Sequence, residues 1–187
     1  MNVLDAIKTR RSVRSYTSEA VERPVLEQLI HAAIQAPSSS NAQAWAFGVI
    51  QGAAALRGYS DRAKVFLLSR ITPGSPMEKY RARLSDPNVN IFHGAPALLV
   101  VYVQPGATSR PLEDCALAAQ NIMLAAHEMG LGTCYIGMSQ LFLNDAETKR
   151  ELGVGEEYQA VSPIIVGHPK EGTPPVPRKE PVLLFWK

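Results

Sequence analysis

The stretch that most constrains this chain is Pro111 to Gly130, which is Ala-rich and apolar almost all round. As a helix it would be about 28 Å long at roughly 1.5 Å per residue, and a helix without a wide polar face needs other layers around it. It is therefore expected to be the central core helix. Its few polar residues recur at seven-residue spacing, Glu113, Gln120 and His127 beside Asp114, Asn121 and Glu128, and so make one narrow strip. Such a strip suits a solvent edge, a subunit seam or a cavity wall. Ala97 to Val103 adds a second constraint, because it is apolar without alternation, as expected of a strand buried on both faces. With 187 residues in all, these elements fit a single domain spanning 1–187.

The other elements are placed around these two. Val3, Leu4 and Ile7 have the spacing of a short amphipathic helix, Val3 to Thr9. Pro24 is placed to open a second helix carrying Val25, Leu26, Leu29, Ile30, Ala33 and Ile34, which Pro37 ends. A polar loop, Pro37 to Gln43, leads into a strand from Trp45 to Ile50 and then a helix near Gly52 to Gly58. The charged, proline-broken stretch 59–93 has no clear pattern and reads as a mobile cover. Gly130 and Gly132 cap the long helix, Thr133 to Ile136 reads as a short strand, Asp145 to Leu152 as a helix, and Tyr158 to Val166 as the last strand. Five prolines between Pro169 and Pro181 then make 168–187 an extended arm. It ends in Val182, Leu183, Leu184, Phe185 and Trp186, which an isolated monomer would leave exposed. A partner subunit is the expected place for them.

Several function classes are excluded by what the chain lacks. Hydrophobic residues at 46% against 19% charged rule out disorder as the main state. The apolar runs are about half of the roughly 20 residues that a membrane helix needs. No leader pattern opens the chain, and Cys115 and Cys134 have neither metal-ligand nor disulfide-framework spacing, so a cytoplasmic location is expected. His31, His93, His127 and His168 share no ligand spacing, and no hydrolase, Walker or dinucleotide signature occurs. No metal is expected. The adjacent carboxylates Glu113 and Asp114, or Glu156 and Glu157, point in different directions and read as solvated surface. Aromatics at 7% and a pI near 8.6 argue against a nucleic-acid partner.

The net charge of +2 is unevenly distributed. Lys8, Arg10, Arg11 and Arg14 against Asp5 make the N-terminal stretch basic, and Lys170, Arg178, Lys179 and Lys187 outweigh Glu171 and Glu180 in the tail. The middle of the chain is mildly acidic. Two basic ends can converge on a small anion, since termini tend to lie at the surface and near one another. Arg10-Arg11-Ser12-Val13-Arg14 supplies guanidinium forks and a hydroxyl suited to a phosphate monoester, although an exposed basic turn has the same composition. Ser38-Ser39-Ser40-Asn41-Ala42-Gln43 offers a run of short polar groups before a buried strand, and equally fits a plain helix-to-strand loop. Gly130-Leu131-Gly132-Thr133-Cys134-Tyr135-Ile136-Gly137 lets backbone approach a planar ligand closely, or simply makes a tight turn.

Taken in order, these segments resemble the nitroreductase-like family of FMN-dependent oxidoreductases over nearly the whole chain. The marks are Arg10 to Arg14, Ala36-Pro37-Ser38-Ser39-Ser40-Asn41-Ala42-Gln43-Ala44-Trp45, Ala95-Pro96 before a strand, a buried helix such as Ala116 to Ala126, and the Gly130 to Gly137 run. Ala44 stands where the family usually has proline, and Met138 where a small or aromatic residue is common.

The resemblance implies an α+β nitroreductase-like fold, a central mostly antiparallel sheet flanked by helices, in a homodimer whose subunits exchange the C-terminal arm. It implies FMN at the interface and NADH or NADPH as electron donor. Arg10 and Ser12, with Arg178 or Lys179, would hold the phosphate, Arg11 would be a further cofactor-binding residue, and Arg14 would reach the pyrimidine edge of the flavin. Pro37, Ser38, Ser39, Asn41 and Gln43 would come from the other subunit, and the backbone at Ile136 and Gly137 would face N5. Ping-pong hydride transfer through N5 would reduce nitroaromatic, quinone or related small-molecule acceptors, with no side chain acting as acid or base. The alternatives are other chemistry on the same fold, such as flavin fragmentation, dehalogenation or ring oxidation, and a non-catalytic flavin-binding protein.

Overall fold

Residue parity along one strand divides the molecule into two halves. In the strand β2 (Ala97–Val103) every residue is buried. Ala97, Leu99, Val101 and Val103 enter one hydrophobic cluster, while Leu98, Val100 and Tyr102 enter the other. Successive side chains of a strand point to opposite faces, so this pattern requires cover on both sides. One face is covered by α2 (Arg23–Ala33) and α5 (Pro111–Glu128), which pack on each other, and the opposite face by α3 (Ala53–Leu68), α4 (Arg81–Ser85) and α6 (Gln140–Leu143). The remaining α-helices and strands among the described residues are α1 (Val3–Thr9), α7 (Ala146–Leu152), β1 (Trp45–Gln51), β3 (Gly132–Tyr135) and β4 (Gln159–Gly167).

This computed structural model describes residues 2–107 and 110–187, so Met1 and positions 108 and 109 of the 1–187 span lie outside it. The described strands form one sheet in the order β1-β2-β4-β3, antiparallel throughout, with a register shift at Val101/Tyr102. The architecture is therefore α+β, with a four-stranded antiparallel sheet between helices.

The stretch 59–93 differs from the expected mobile cover. The helix expected near Gly52 to Gly58 runs on to Leu68. Arg57, Ser60 and Lys64, three and four residues apart, share one face of it. From that face Arg57 donates to the carbonyl of Pro87, and Lys64 Nζ donates to those of Asp86 and Val89 at 3.0 and 2.8 Å. Ser60 Oγ accepts the backbone N–H of Ile91 at 2.9 Å. The segment 86–91 is thus fastened at four points, and its shape is set by a neighbouring helix rather than by its own sequence.

The long helix also departs from the all-round burial expected of it. Asp114, Cys115, Ala118, Ala119, Ile122 and Ala126 are buried, whereas Leu112, Glu113 and Leu117 are exposed. The two files of its polar strip separate. Asp114 and Asn121 turn inward, and Asn121 Nδ2 donates to the carbonyl of Ala32 on α2 at 3.1 Å. Asp114, expected on solvated surface, is only 3% exposed, because the Ser39 backbone N–H supplies the partner that solvent would otherwise provide. Glu156 and Glu157 are exposed as expected.

Beyond Gly167 the chain is extended. Thr17 donates its backbone N–H to His168 and Lys170 donates to Ser15, which lays the start of the arm along residues 15–17. Val182, Leu184 and Trp186 at its end are each at least 85% exposed. Among the described residues, no helix is long and apolar enough to cross a membrane.

Candidate functional site

The N-terminal segment reaches the sheet edge because β3 carries a glycine there. Ser12 bridges Thr133 in parallel, and Val13 N–H donates to the Thr133 carbonyl at 2.9 Å. A Cβ on Gly132 would stand 2.8 Å from three side-chain carbons of Val13, so only glycine lets the two backbones lie this close. Tyr16 Oη donates to the Val13 carbonyl at 2.7 Å, and Arg11 Nη1 donates to those of Lys8 and Arg10. These contacts hold the run Arg10 to Arg14 in place beside β3.

The tail closes over that run. Arg10, Arg11, Ser12 and Arg14 line a cavity of about 200 Å³ together with Thr173, Val176 and Arg178. The two basic ends of the sequence therefore meet, and the structure brings Arg178, not Lys179, to the cavity wall. Four arginines line this space, and no carboxylate is among its described lining residues. Burial, and then the charges of Arg178 and Arg11, lower the pKa of Arg10. Arg11 Nε is a buried donor without a partner among the described residues. An anion with several acceptor oxygens would relieve both costs. The donor set fits a phosphate monoester, as in FMN.

Arg14 also belongs to a second cavity, of about 280 Å³, whose wall includes Ile136, Gly137 and Met138. Ile136 N–H is already used by the Pro163 carbonyl at 2.8 Å, while Gly137 is exposed. Cys134 lines this second cavity, and burial raises its thiol pKa against the opposing pull of Arg14, Ser12 and Arg10. Of the two family departures, Met138 lines this cavity, and Ala44 is buried at the entry to β1.

Pro37, Ser38, Ser39, Asn41 and Gln43 line none of these spaces. Their loop is anchored at the first turn of α5, where Asp114 holds Ser39, whereas Thr9 Oγ1 meets His127 Nε2 at 2.8 Å in the last turn. The thirteen-residue step from Asp114 to His127 puts these ends about 20 Å apart at roughly 1.5 Å per residue. Ser40, Asn41 and Gln43 have positive φ values of 51°, 54° and 48°, so the loop holds a left-handed shape that side chains disfavour. Gln43 N–H donates to Ser38 Oγ and Gln43 Nε2 to Asn41 Oδ1.

Sequence reasoning missed Tyr80, Arg83 and His93 in the second cavity, Thr173 in the first, and Asp114 behind the loop. Of these only His93 had a local signal, the His93-Gly94 pair before Ala95-Pro96, and both of its residues have positive φ. Among the described residues, no three His, Cys, Asp or Glu side chains are grouped to hold a metal ion.

Comparison with known proteins matches residues 7–168 to the model of the Nitroreductase family. A protein of Methanothermobacter thermautotrophicus, provisionally named NADH dehydrogenase/NAD(P)H nitroreductase, is 30% identical over 174 residues, covering 91% of this chain and 79% of its own. An "FMN reductase [NAD(P)H]" of Bacillus subtilis is 29% identical over 185 residues, covering 94% and 69%. Among solved structures, a nitroreductase with bound FMN from Desulfitobacterium hafniense is 29% identical, superposes with a TM-score of 0.81, and covers 100% of each chain.

Proposed function

The chain belongs to the nitroreductase family, and from that premise we propose that it is an FMN-dependent NAD(P)H oxidoreductase that reduces nitroaromatic, quinone or related electron-poor acceptors. The observation that carries the cofactor reading is the convergence of Arg178 with Arg10, Arg11 and Arg14 on one cavity without a carboxylate in its wall. FMN when bound accepts a hydride at N5 from the nicotinamide and passes electrons on to an acceptor. The protein's part is to bind, orient and screen.

Arg10, Arg11, Ser12 and Arg178 hold the phosphate by charge-assisted hydrogen bonds. Arg14, shared by both cavities, would place a positive charge at the pyrimidine edge of a bound flavin, where charge develops on reduction. The backbone at Ile136 and Gly137 would lie on the side where hydride is exchanged. With donor and acceptor using that one side in turn, the kinetics would be ping-pong.

A second copy of the chain completes the site. The loop from Pro37 to Gln43 and the cluster at Arg10 sit at opposite ends of α5. Two chains packed antiparallel along that helix would bring the loop of one to the cluster of the other. The exposed side chains Leu112 and Leu117 suit that seam. The arm 168–187 then crosses to the partner, which buries Val182 to Trp186, and 1–187 acts as one domain.

The test is spectroscopic. Purified protein is expected to show the visible flavin bands, to bleach on anaerobic addition of NADH or NADPH, and to recover when a nitroaromatic or a quinone is added. A colourless protein that FMN does not reconstitute would remove the cofactor and the reading built on it.

A further inference from the structure

The cavity beside Gly137 contains more positive charge than the cofactor site requires. Arg14, Arg83 and His93 line it with Tyr80, and no Asp or Glu is among its described lining residues. Arg14 is shared with the phosphate cavity, but Arg83 is not. Neighbouring cations have partners of their own. Arg81 donates to the Ile71 carbonyl at 3.0 Å, and Arg57 pairs with Asp61. Arg83 pairs with no carboxylate among the described residues.

This arrangement is held in place. The stretch that carries His93 follows the segment fastened by three bonds donated by Arg57 and Lys64 and one accepted by Ser60, and Phe92 beside it is fully buried. His93 and Gly94 take φ values of 55° and 72°, a left-handed pair that costs energy at the histidine and persists only where the surroundings enforce it. Burial, then Arg83 and then Arg14 lower the His93 pKa, which favours a neutral imidazole able to give one N–H. Ile91, Ile136 and Met138 supply an apolar wall on which a ring can lie.

We propose that Arg83, with Tyr80 and His93, forms an anion-binding subsite beside the redox face, so that the preferred oxidants are aromatic acceptors carrying a carboxylate. The assignment rests on the flavin reading given above for the same site. The carboxylate takes the guanidinium fork, and the ring extends from it past Ile91 and Met138 toward the redox face. The phosphates of NAD(P)H share this chemistry, so the test separates acceptor from donor.

At low ionic strength, where an exposed arginine is least screened, turnover of 4-nitrobenzoate is compared with that of its neutral methyl ester. The acid-to-ester ratio of kcat/KM should be about 10 or more in the unaltered holoenzyme, the scale of one charged hydrogen bond, and fall toward 1 in Arg83→Ala through KM. Arg83→Lys should restore part of it. Reading the ratio removes any loss common to both acceptors. Benzoate binding measured by calorimetry should weaken about 10-fold in Arg83→Ala, with benzamide as the neutral control. A ratio near 1 in the unaltered enzyme, an unchanged ratio in the variant, or a loss confined to flavin reduction by NAD(P)H would overturn the proposal. Failure of the flavin reading would show separately, as absent visible bands, and calorimetry would still decide the subsite.

Discussion

The Asp114 carboxylate, nearly buried in the first turn of α5, accepts the backbone N–H of Ser39 at 3.0 Å across 75 residues of sequence. This contact fastens a loop in which three non-glycine residues hold positive φ. Each such residue is strained by about 1 kcal/mol or more, so the loop keeps its shape only while it is tied down. Asp114→Ala removes this acceptor at a cost of about 1–3 kcal/mol and should weaken FMN about 10-fold or more. Asp114→Asn keeps an acceptor oxygen and should lose less. Flavin fluorescence titration of the two variants checks this, and equal affinity in Asp114→Ala and the unaltered protein would detach the loop from the cofactor.

Arg10 and Arg178 should act on the phosphate and not on the ring. Each supplies a charge-assisted hydrogen bond of about 1.5–3 kcal/mol, so Arg10→Ala or Arg178→Ala should weaken FMN about 10- to 100-fold. Riboflavin, which lacks the phosphate, should bind all variants alike. Lys179→Ala should behave as the unaltered protein, because Lys179 does not line the cavity. A parallel loss of riboflavin affinity would mean that these arginines shape the whole pocket and do not grip the phosphate.

How much of this was legible depended on where each residue's partner lies. β2 could be read from its composition because both its faces are covered, so no polar alternation interrupts the apolar run. The two basic ends could be expected to meet around an anion because their charge is read directly from the residues and chain termini tend to lie near one another. Lys64 could not be read. It is 5% exposed, and the carbonyls that receive its ammonium belong to Asp86 and Val89, 22 and 25 residues away. Asp114 was misplaced on the surface for the same reason, since its partner is a backbone N–H, which every residue but proline carries and which no motif can flag. The stretch 59–93 was opaque because it takes its order from such distant contacts.

Gly132→Ala should damage the site through the backbone. The added Cβ meets Val13 at 2.8 Å, so either β3 or the Ser12-Val13 segment must move. Overpacking of this kind costs about 1–3 kcal/mol. The displaced segment carries Arg10 to Arg14, so FMN affinity should fall together with the thermal midpoint. Pairing the change with Val13→Ala removes the opposing carbons and should recover much of both. Failure of that second change to recover FMN affinity would place the role of Gly132 elsewhere.

Alkaline pH should loosen the fold partly through Cys115. Burial, helped by the neighbouring Asp114 charge, raises the thiol from an ordinary value near 9 to about 12. Below pH 9 the thiol is protonated in both folded and unfolded chains, so it contributes no pH dependence. Above pH 9 the unfolded chain releases the proton and the folded chain keeps it, which favours unfolding by up to about 1.4 kcal/mol for each pH unit as far as pH 12. Tyr102 is raised from 10 to about 12 by burial and adds the same sign, mostly above pH 10, as do Tyr16 and Tyr59. Between pH 9 and 10 the thiols therefore weigh more than the tyrosines. Cys115→Ala lowers stability at pH 8 by leaving a small cavity, yet its urea midpoint should fall less steeply between pH 9 and 10 than that of the unaltered chain. Parallel declines would mean that the folded thiol ionises near its ordinary value, and that α5 admits water at the turn where Asp114 holds the loop.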